Sequence, residues 1–441
     1  MRISILAVLT ASLTAVGAQA ADAPGEIKLG TLYASSGPFS DTSLPLHRGL
    51  KFWVDQKNEE GGVYAKTFDK KIPLKLVAHD DRGDPATAAS LYRQLITEDK
   101  VDILIADSGP ALTSVAVPIA REHKMLLIDQ NGLESTFFSS DNPYIVLIDE
   151  PVYSMWPKPL TDLLDRDGPG LGIKRVALLY STNDFTETQA DAVRKFIKES
   201  NSGLDIVFDQ GVPTATSNYT TLLDAIRAAN PDAVLHFGYV SNDVALLRNV
   251  LELGIKFKFL FCIYPSVLAE PFEKDVGNKA LEYVFAYVAS SQIAHAPNFG
   301  MSLKEYRAAW HEKYAKLQAK FDFNAVAGYT TGLVLEKALA MARSLDQLEL
   351  RRAILSLSGQ LKTLDGAFEL DPDTGAQVGE LESVGQLVPD GNGGLRIARA
   401  WHLTSRTENR STALPVPQTN VAWAAALTWR PKNGRAKGKG G

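Results

Sequence analysis

From residue 27 onward the chain alternates short aliphatic, β-branched runs with stretches whose apolar positions recur every three or four places. The runs predict strands at 27–33, 72–79, 102–106 and 125–129, and the periodic stretches predict helices at 46–59, 86–99 and 113–123. In the first of these helices Leu50, Phe52, Trp53 and Val54 are available to face inward. A similar series restarts at residue 175, with strands at 175–180, 205–208, 233–237 and 257–263 and helices at 187–200, 218–229 and 243–253. Apolar strands separated by amphipathic helices describe parallel sheets with both faces covered. Two such series describe two α/β halves.

Punctuation supports this division. Asp84-Pro85 starts a helix, with Asp84 as N-cap and Pro85 in the first helical position. Beyond residue 263 the order loosens: helices are expected at 302–321 and 325–343, a hairpin at 364–375 and further strands at 381–387 and 395–402. In both halves, polar or aromatic residues follow the strands, which is where open parallel sheets place ligands. The hydroxyl-rich segment at 35–42 is the first such loop.

Composition narrows the class. The chain has 441 residues, enough for two or more domains, with 45% hydrophobic and 22% charged positions, as in ordinary globular proteins. A formal charge of -5 argues against a nucleic-acid binder. Met1-Arg2, the apolar run at 3–16 and Ala18-Gln19-Ala20 read as a secretory signal peptide cleaved after Ala20. That run is too short to span a membrane, for which about 20 apolar residues are needed. The single cysteine, Cys262, sits in an apolar run and reads as a small buried hydrophobe, so neither a disulfide nor a lipid anchor is available. From residue 404 the chain is rich in Pro, Asn, Thr and Ala, and its last twelve residues carry five basic side chains and no acid. Disorder is expected there.

Motifs for other chemistry are weak. Asp80, Asp81 and Asp84 have the look of a metal cluster, yet capping uses Asp84 and no EF-hand spacing follows, so no metal is expected. His311-Glu-Lys-Tyr-Ala lacks the second histidine of a zincin helix. Gly-x-Ser-x-Gly and Gly-x-x-x-x-Gly-Lys are absent.

An ordered set of short segments carries a family likeness. It comprises Ile27-Lys-Leu-Gly30 with Ser36-Gly37-Pro38, Gly49, Asn58-Glu-Glu-Gly61-Gly62-Val63, and Asp80-Asp81 with Asp84-Pro85. It continues through Ala106-Asp-Ser-Gly-Pro, Val117-Pro118-Ile119-Ala120, Lys174-Arg-Val-Ala-Leu-Leu-Tyr180 and Gly366-Ala-Phe-Glu-Leu-Asp371. In these the chain resembles the periplasmic solute-binding proteins of ABC transporters, in the branched-chain amino acid and amide (Leu/Ile/Val-binding) group with the type I fold. The resemblance implies two Rossmann-like lobes with parallel sheets joined by a three-crossover hinge. One lobe is expected at 25–148 plus 288–356 and the other at 149–287 plus 357–403, after a signal at 1–20 and before an extension at 404–441. The crossovers are expected near Asp149-Glu150-Pro151, Ala289-Ser290-Ser291 and Ser358-Gly359. Such a protein closes on a small-molecule solute and presents the closed state to permease subunits in the inner membrane. It would work in the periplasm as a monomer, without cofactor and without catalysis.

The resemblance also implies a site. From the first lobe it takes Thr42, Ser108, Gly109, Pro110, Asn131, Gly132 and Leu133, and from the second Tyr153, Phe185, Tyr239, Ile263 and Tyr264. Amino-acid-binding members hold the ligand carboxylate with hydroxyls and backbone amides, and the ammonium with an acid on the second lobe. Here Ile263 stands at the acid's position, and Pro110 and Leu133 stand where small hydroxyl residues are usual. An ammonium desolvated without a counter-charge costs several kcal/mol. The expected solute is therefore apolar or aromatic, with a carboxylate allowed on the amides at Ser108-Gly109 and Asn131-Gly132. Two other readings stay open: a ligand-sensing module for a membrane receptor, and a secreted hydrolase whose Ser and His residues meet only in space.

Overall fold

The computed structural model describes residues 23–200, 203–288, 296–379, 381–401, 403–404 and 408–409. The expected leader, the crossover at Ala289-Ser290-Ser291 and the chain beyond Asn409 lie outside these residues. Two sheets organise the rest. The first runs Leu74–Asp80, Ile27–Tyr33, Ile103–Ile105, Leu127–Asp129, Ile145–Leu147, all parallel. Its residues alternate between two cores, as a pleated strand buried on both faces requires. Leu104, Leu127, Ile145 and Leu147 face helices Pro85–Thr97 and Gly109–Glu122. Ile103, Ile105, Ile128 and Val146 face helices Ser40–Glu59 and Phe323–Leu339.

Those last two helices touch backbone to backbone. A Cβ on Gly328 would lie 2.0 Å from Leu46 O, and one on Gly49 2.3 Å from Ala325 O. Only glycine permits that approach. The helix starts at Ser40, earlier than the apolar period announces, with Pro45 inside it, so Thr42 lies in a helical turn rather than a loop.

The second sheet runs Leu395–Trp401, Ser383–Pro389, Phe285–Val288, Phe259–Cys262, Ala233–Phe237, Arg175–Ser181, Asp205–Val212. Its last five strands are parallel, and Ser383–Pro389 pairs antiparallel with both neighbours. Among the elements that the pattern did not announce are strands Ile145–Leu147 and Phe285–Val288 and helix Lys158–Asp167. The expected helix at 302–321 ends at Tyr314 and passes into a 3₁₀ turn, Ala315–Leu317.

The third crossover is displaced from its expected place. Leu361, Leu364, Phe368 and Leu370 are buried in the first sheet's core, and Leu147 N donates to Gly375 O (2.9 Å). The chain pairs with the second sheet only from Ser383. The crossing therefore falls between Gln377 and Ser383 instead of at Ser358-Gly359, because Phe368 and Leu370 need the first lobe's core.

Candidate functional site

The carboxyl ends of both sheets feed one buried cluster, shared by Leu133 and Phe138 from the first sheet's loops, Tyr153 from the crossover and Phe185 from the second lobe. Leu133 O accepts from Tyr153 N (2.9 Å), joining the first-lobe loop directly to the crossover. Of the residues singled out from the sequence, Leu133, Tyr153, Phe185, Ile263 and Tyr264 pack in this cluster.

On the first lobe, the loops are tied down by their own acids. Ser43 Oγ donates to Asp107 Oδ1 (2.6 Å) and accepts from Ala34 N (2.8 Å), while Ser35 N donates to Asp80 Oδ1 (3.0 Å). Ser35 of the hydroxyl-rich segment and Ser43 just after it thus hold the loop to neighbouring strand ends. Asp84 accepts from Thr87 N as the N-cap, as read from the sequence. Burial pushes Asp107 well above the usual carboxylate range, and the charge of neighbouring Asp81 adds to the rise. Burial also raises Asp129 to about 7, against the pull of the Gly132 and Asn131 amides.

These contacts change the reading of the amides. Ser108 N donates to Asp107 Oδ1 (2.6 Å), Gly109 N to Asn131 Oδ1 (3.0 Å) and Gly132 N to Asp129 Oδ1 (2.7 Å). The amides assigned to a solute carboxylate are already engaged, Ser108 and Gly132 by acids of their own loops and Gly109 by Asn131 from the next. Ser108 is the N-cap of helix Gly109–Glu122 but makes no side-chain cap bond; Asn131 supplies the acceptor instead. Asn131 Nδ2 reaches Asn324 Oδ1 (3.1 Å), a partner on a distant helix that no local pattern announces. Leu133 adopts φ 54, and Pro110 sits in the first turn beside Gly109, whose φ is +78.

The second lobe presents rings. Tyr153 packs edge to face on Phe185 (centroids 4.7 Å) and on Trp156 (5.1 Å), and Phe185 stacks with Tyr239 (5.8 Å) and tilts against Tyr264 (6.5 Å). Trp156 and Tyr287, which the sequence reading missed, extend the set (5.6 Å apart). Trp156 falls five residues after the crossover proline, whose carbonyl its indole N–H reaches (2.8 Å), and Tyr287 lies on one of the unread strands. Tyr239 is 39% exposed and borders a cavity of about 580 Å³ with Ser217, Val244 and Arg248. Ile263 is 1% exposed, beneath the wall rather than on it. Thr42 is exposed and its hydroxyl bonds Phe39 O (3.0 Å), away from the cluster's rings.

Among the described residues one group has metal-type ligands close together: His236, Asp243 and Cys262. All three are buried, and Asp243 already accepts from His236 Nδ1 (2.7 Å) and Tyr264 N (3.1 Å). Its carboxylate works as an internal tie. Cys262 is buried, as the sequence suggested.

The family model described as "Periplasmic binding protein" matches residues 26–384. The chain belongs to that family. Its members are solute-binding proteins, so the two-lobed α/β body described above is that of a solute receptor. The Leu/Ile/Val-binding protein homolog 7 of Brucella melitensis is 26% identical over 357 residues, covering 78% of this chain and 84% of that one. Among solved structures, an ABC transporter substrate-binding protein from Sphaerobacter thermophilus superposes with TM-score 0.68 at 18% identity, over 86% of this chain and 98% of the other. A solute-binding protein of an ABC transporter from R. palustris, in complex with benzoate, does so with TM-score 0.62 at 17% identity, over 87% and 98%. At such identities the likeness of these structures establishes the fold. No helix among the described residues is long and apolar enough to cross a membrane.

Proposed function

We propose that this receptor works in the periplasm for an ABC importer, capturing a small apolar or aromatic solute between its lobes and delivering it to the permease in the inner membrane. The observation that carries the solute class is the ring wall of Tyr153, Phe185, Tyr239 and Tyr264. Rings offer stacking faces and tyrosine hydroxyls but no counter-charge for an ammonium. A solute carrying a carboxylate has to displace Asn131 from Gly109 N, since that amide is already bonded.

One feature favours a second reading. Asp184, exposed at the start of helix Asp184–Glu199, acts electrostatically on both Tyr239 and the first-lobe Glu134. It gives a cationic group a place at the edge of the wall, and the relatives named for leucine, isoleucine and valine make a zwitterion the natural competitor.

A thermal-shift panel decides between them. Ligand binding to the folded state alone adds RT ln(1 + [L]/Kd) to stability, about 2.7 kcal/mol at a hundredfold excess over Kd. Benzoate, benzamide and phenols are expected to raise Tm saturably, with leucine and valine far weaker. Strong saturable stabilisation by leucine or valine overturns the aromatic reading and leaves the receptor role standing.

A further inference from the structure

Two neighbouring side chains behind the ring wall converge on the ends of four strands. Asn242 and Asp243 lie in the first turn of helix Val240–Glu252 and are 1% and 0% exposed. Asn242 Oδ1 accepts from Tyr239 N (3.1 Å) and Ser181 Oγ (3.2 Å), and its Nδ2 donates to Thr214 O (2.9 Å) and Thr216 O (3.0 Å). Asp243 accepts from His236 Nδ1 at Oδ1 (2.7 Å) and from Tyr264 N at Oδ2 (3.1 Å). Thr186 Oγ1, one residue after Phe185, donates to the carbonyl of Ser181.

We infer that Asn242 and Asp243 are positioning residues for the solute: without touching it, they set the distance and tilt of Tyr239 and Tyr264 against Phe185. This rests on the ring wall being the solute's wall, as proposed above. The physical case is that the Tyr264 N–H has this carboxylate as its acceptor. An amide left unanswered in a dry core is costly, so the loop yields before it accepts that state. A strand end freed in this way rotates the Tyr264 ring away from Phe185, because ring and amide belong to the same residue. Helix capping alone accounts for less. Asn242 serves the Tyr239 amide in a capping box, but its Nδ2 contacts to Thr214 and Thr216 and Asp243's contact to Tyr264 reach across to other loops.

Asp243→Ala, Asp243→Asn, Asn242→Ala and Leu246→Ala test this, the last being a buried residue of the same helix with no part in the tie. Hydrogen exchange of individual amides and binding of benzoate are both measured. In Asp243→Ala the Tyr264 amide is expected to exchange at least about tenfold faster while those of Val234 and Leu235 hold, since about one buried hydrogen bond is lost. Benzoate affinity is expected to fall by about tenfold or more, and Asp243→Asn, which retains an acceptor, to recover most of both losses. Asn242→Ala should shift the Tyr239 amide in the same way without touching the His236 pair, and it reads the inference if Asp243→Ala fails to fold. Leu246→Ala should lower Tm yet leave the Tyr264 amide and the affinity unchanged. Wild-type exchange at Tyr264 in Asp243→Ala, or at Tyr239 in Asn242→Ala where Asp243→Ala does not fold, overturns the inference. So does an affinity loss no larger than that of Leu246→Ala at equal destabilisation. Should the wild type bind no aromatic probe while exchange follows the expected pattern, the solute class fails and the tie between Asp243 and Tyr264 stands.

Discussion

At the first lobe's strand ends polar groups are answered from within: Asp107 takes Ser43 and Ser108, Asp129 takes Gly132, and Asn131 takes Gly109. At the second lobe's strand ends the side chains are rings, and the polar atoms that hold them are buried one layer back, in Asn242, Asp243 and Gln189. The first arrangement engages the loop amides of Ser108, Gly109 and Gly132, so a solute anion reaches them only if a side chain moves. The second packs its rings on one another, with Tyr153 and Phe185 buried and Tyr239 the exposed ring. Affinity should therefore be supplied mainly by the second lobe and discrimination of charge mainly by the first.

Phe185→Ala strikes that division hardest. Phe185 contacts Tyr153, Trp156, Tyr239 and Tyr264 at once, with Tyr287 Oη and Gln189 braced behind it (3.0 Å between Tyr287 Oη and Gln189 Oε1). Removing a buried phenyl ring costs about 3–5 kcal/mol of stability. Binding of the best aromatic probe should fall by about 100-fold, or 2.7 kcal/mol. Calorimetric titration and a melting curve check both, and an affinity within threefold of wild type would show that the solute sits elsewhere.

How much of this was legible in the sequence differs between the lobes in the same way. Tyr153, Phe185, Tyr239 and Tyr264 are indicated by the family resemblance, which places them just beyond strand ends or at the start of a helix. Ile263 was placed one layer too far forward, since strand alternation turns it toward Phe259 and Phe261 in the core. The first lobe's self-satisfaction was illegible, because Asn131 to Gly109 and Asn131 to Asn324 are contacts across 22 and 193 residues that leave no periodic trace. Strands of three or four residues, such as Ile145–Leu147 and Phe285–Val288, carry too few positions for alternation to register, and so Tyr287 went unread. The third crossover was misplaced for a related reason: the burial of Phe368 that keeps the segment on the first lobe depends on residues hundreds of places earlier.

The crossovers add a pH dependence that separates hinge from wall. Glu150 on the first crossover is raised to about 7 by burial and by Asp365, with its carboxyl hydrogen-bonded to Glu382 near the third. Burial and the Asp365, Glu150, Glu382 and Asp129 carboxyls hold Asp149 well up too. A carboxyl raised in the folded state favours folding while it keeps its proton, and this contribution is lost as pH climbs from the ordinary glutamate value of 4.5 toward about 7. Melting temperature should therefore fall between pH 5 and pH 8, and Glu150→Gln, neutral throughout, should shrink that fall by a few degrees. An identical fall in variant and wild type would show that Glu150 does not titrate in this range. Phe185→Ala leaves the hinge carboxyls in place and should preserve the wild-type slope.

Asn131→Ala sharpens the claim that the first lobe sorts charge. It leaves Gly109 N without its side-chain acceptor, and a solute carboxylate is the group best suited to replace one. Benzoate should gain on benzamide by about threefold to tenfold, the value of one charge-assisted hydrogen bond partly offset by lost loop order. A ratio that stays at its wild-type value would mean that solutes never reach that amide.

The smallest effect is expected at Tyr239. Its ring is 39% exposed and stacks on Phe185 alone, at 5.8 Å and 23° between planes. One aromatic pair contributes about 0.5–1.5 kcal/mol beyond area burial, so Tyr239→Ala should cost stability within that range and leave the fold intact. Because the residue borders the 580 Å³ cavity, a solute held there can contact it, and its loss should weaken aromatic probes by about threefold to tenfold. Tyr239→Phe should recover the loss if the ring face is what binds, and should not if the hydroxyl is. Unchanged affinity in Tyr239→Ala removes this residue from the wall and confines the solute to the space between Tyr153, Phe185 and Tyr264, where the rings already touch and only a small guest fits.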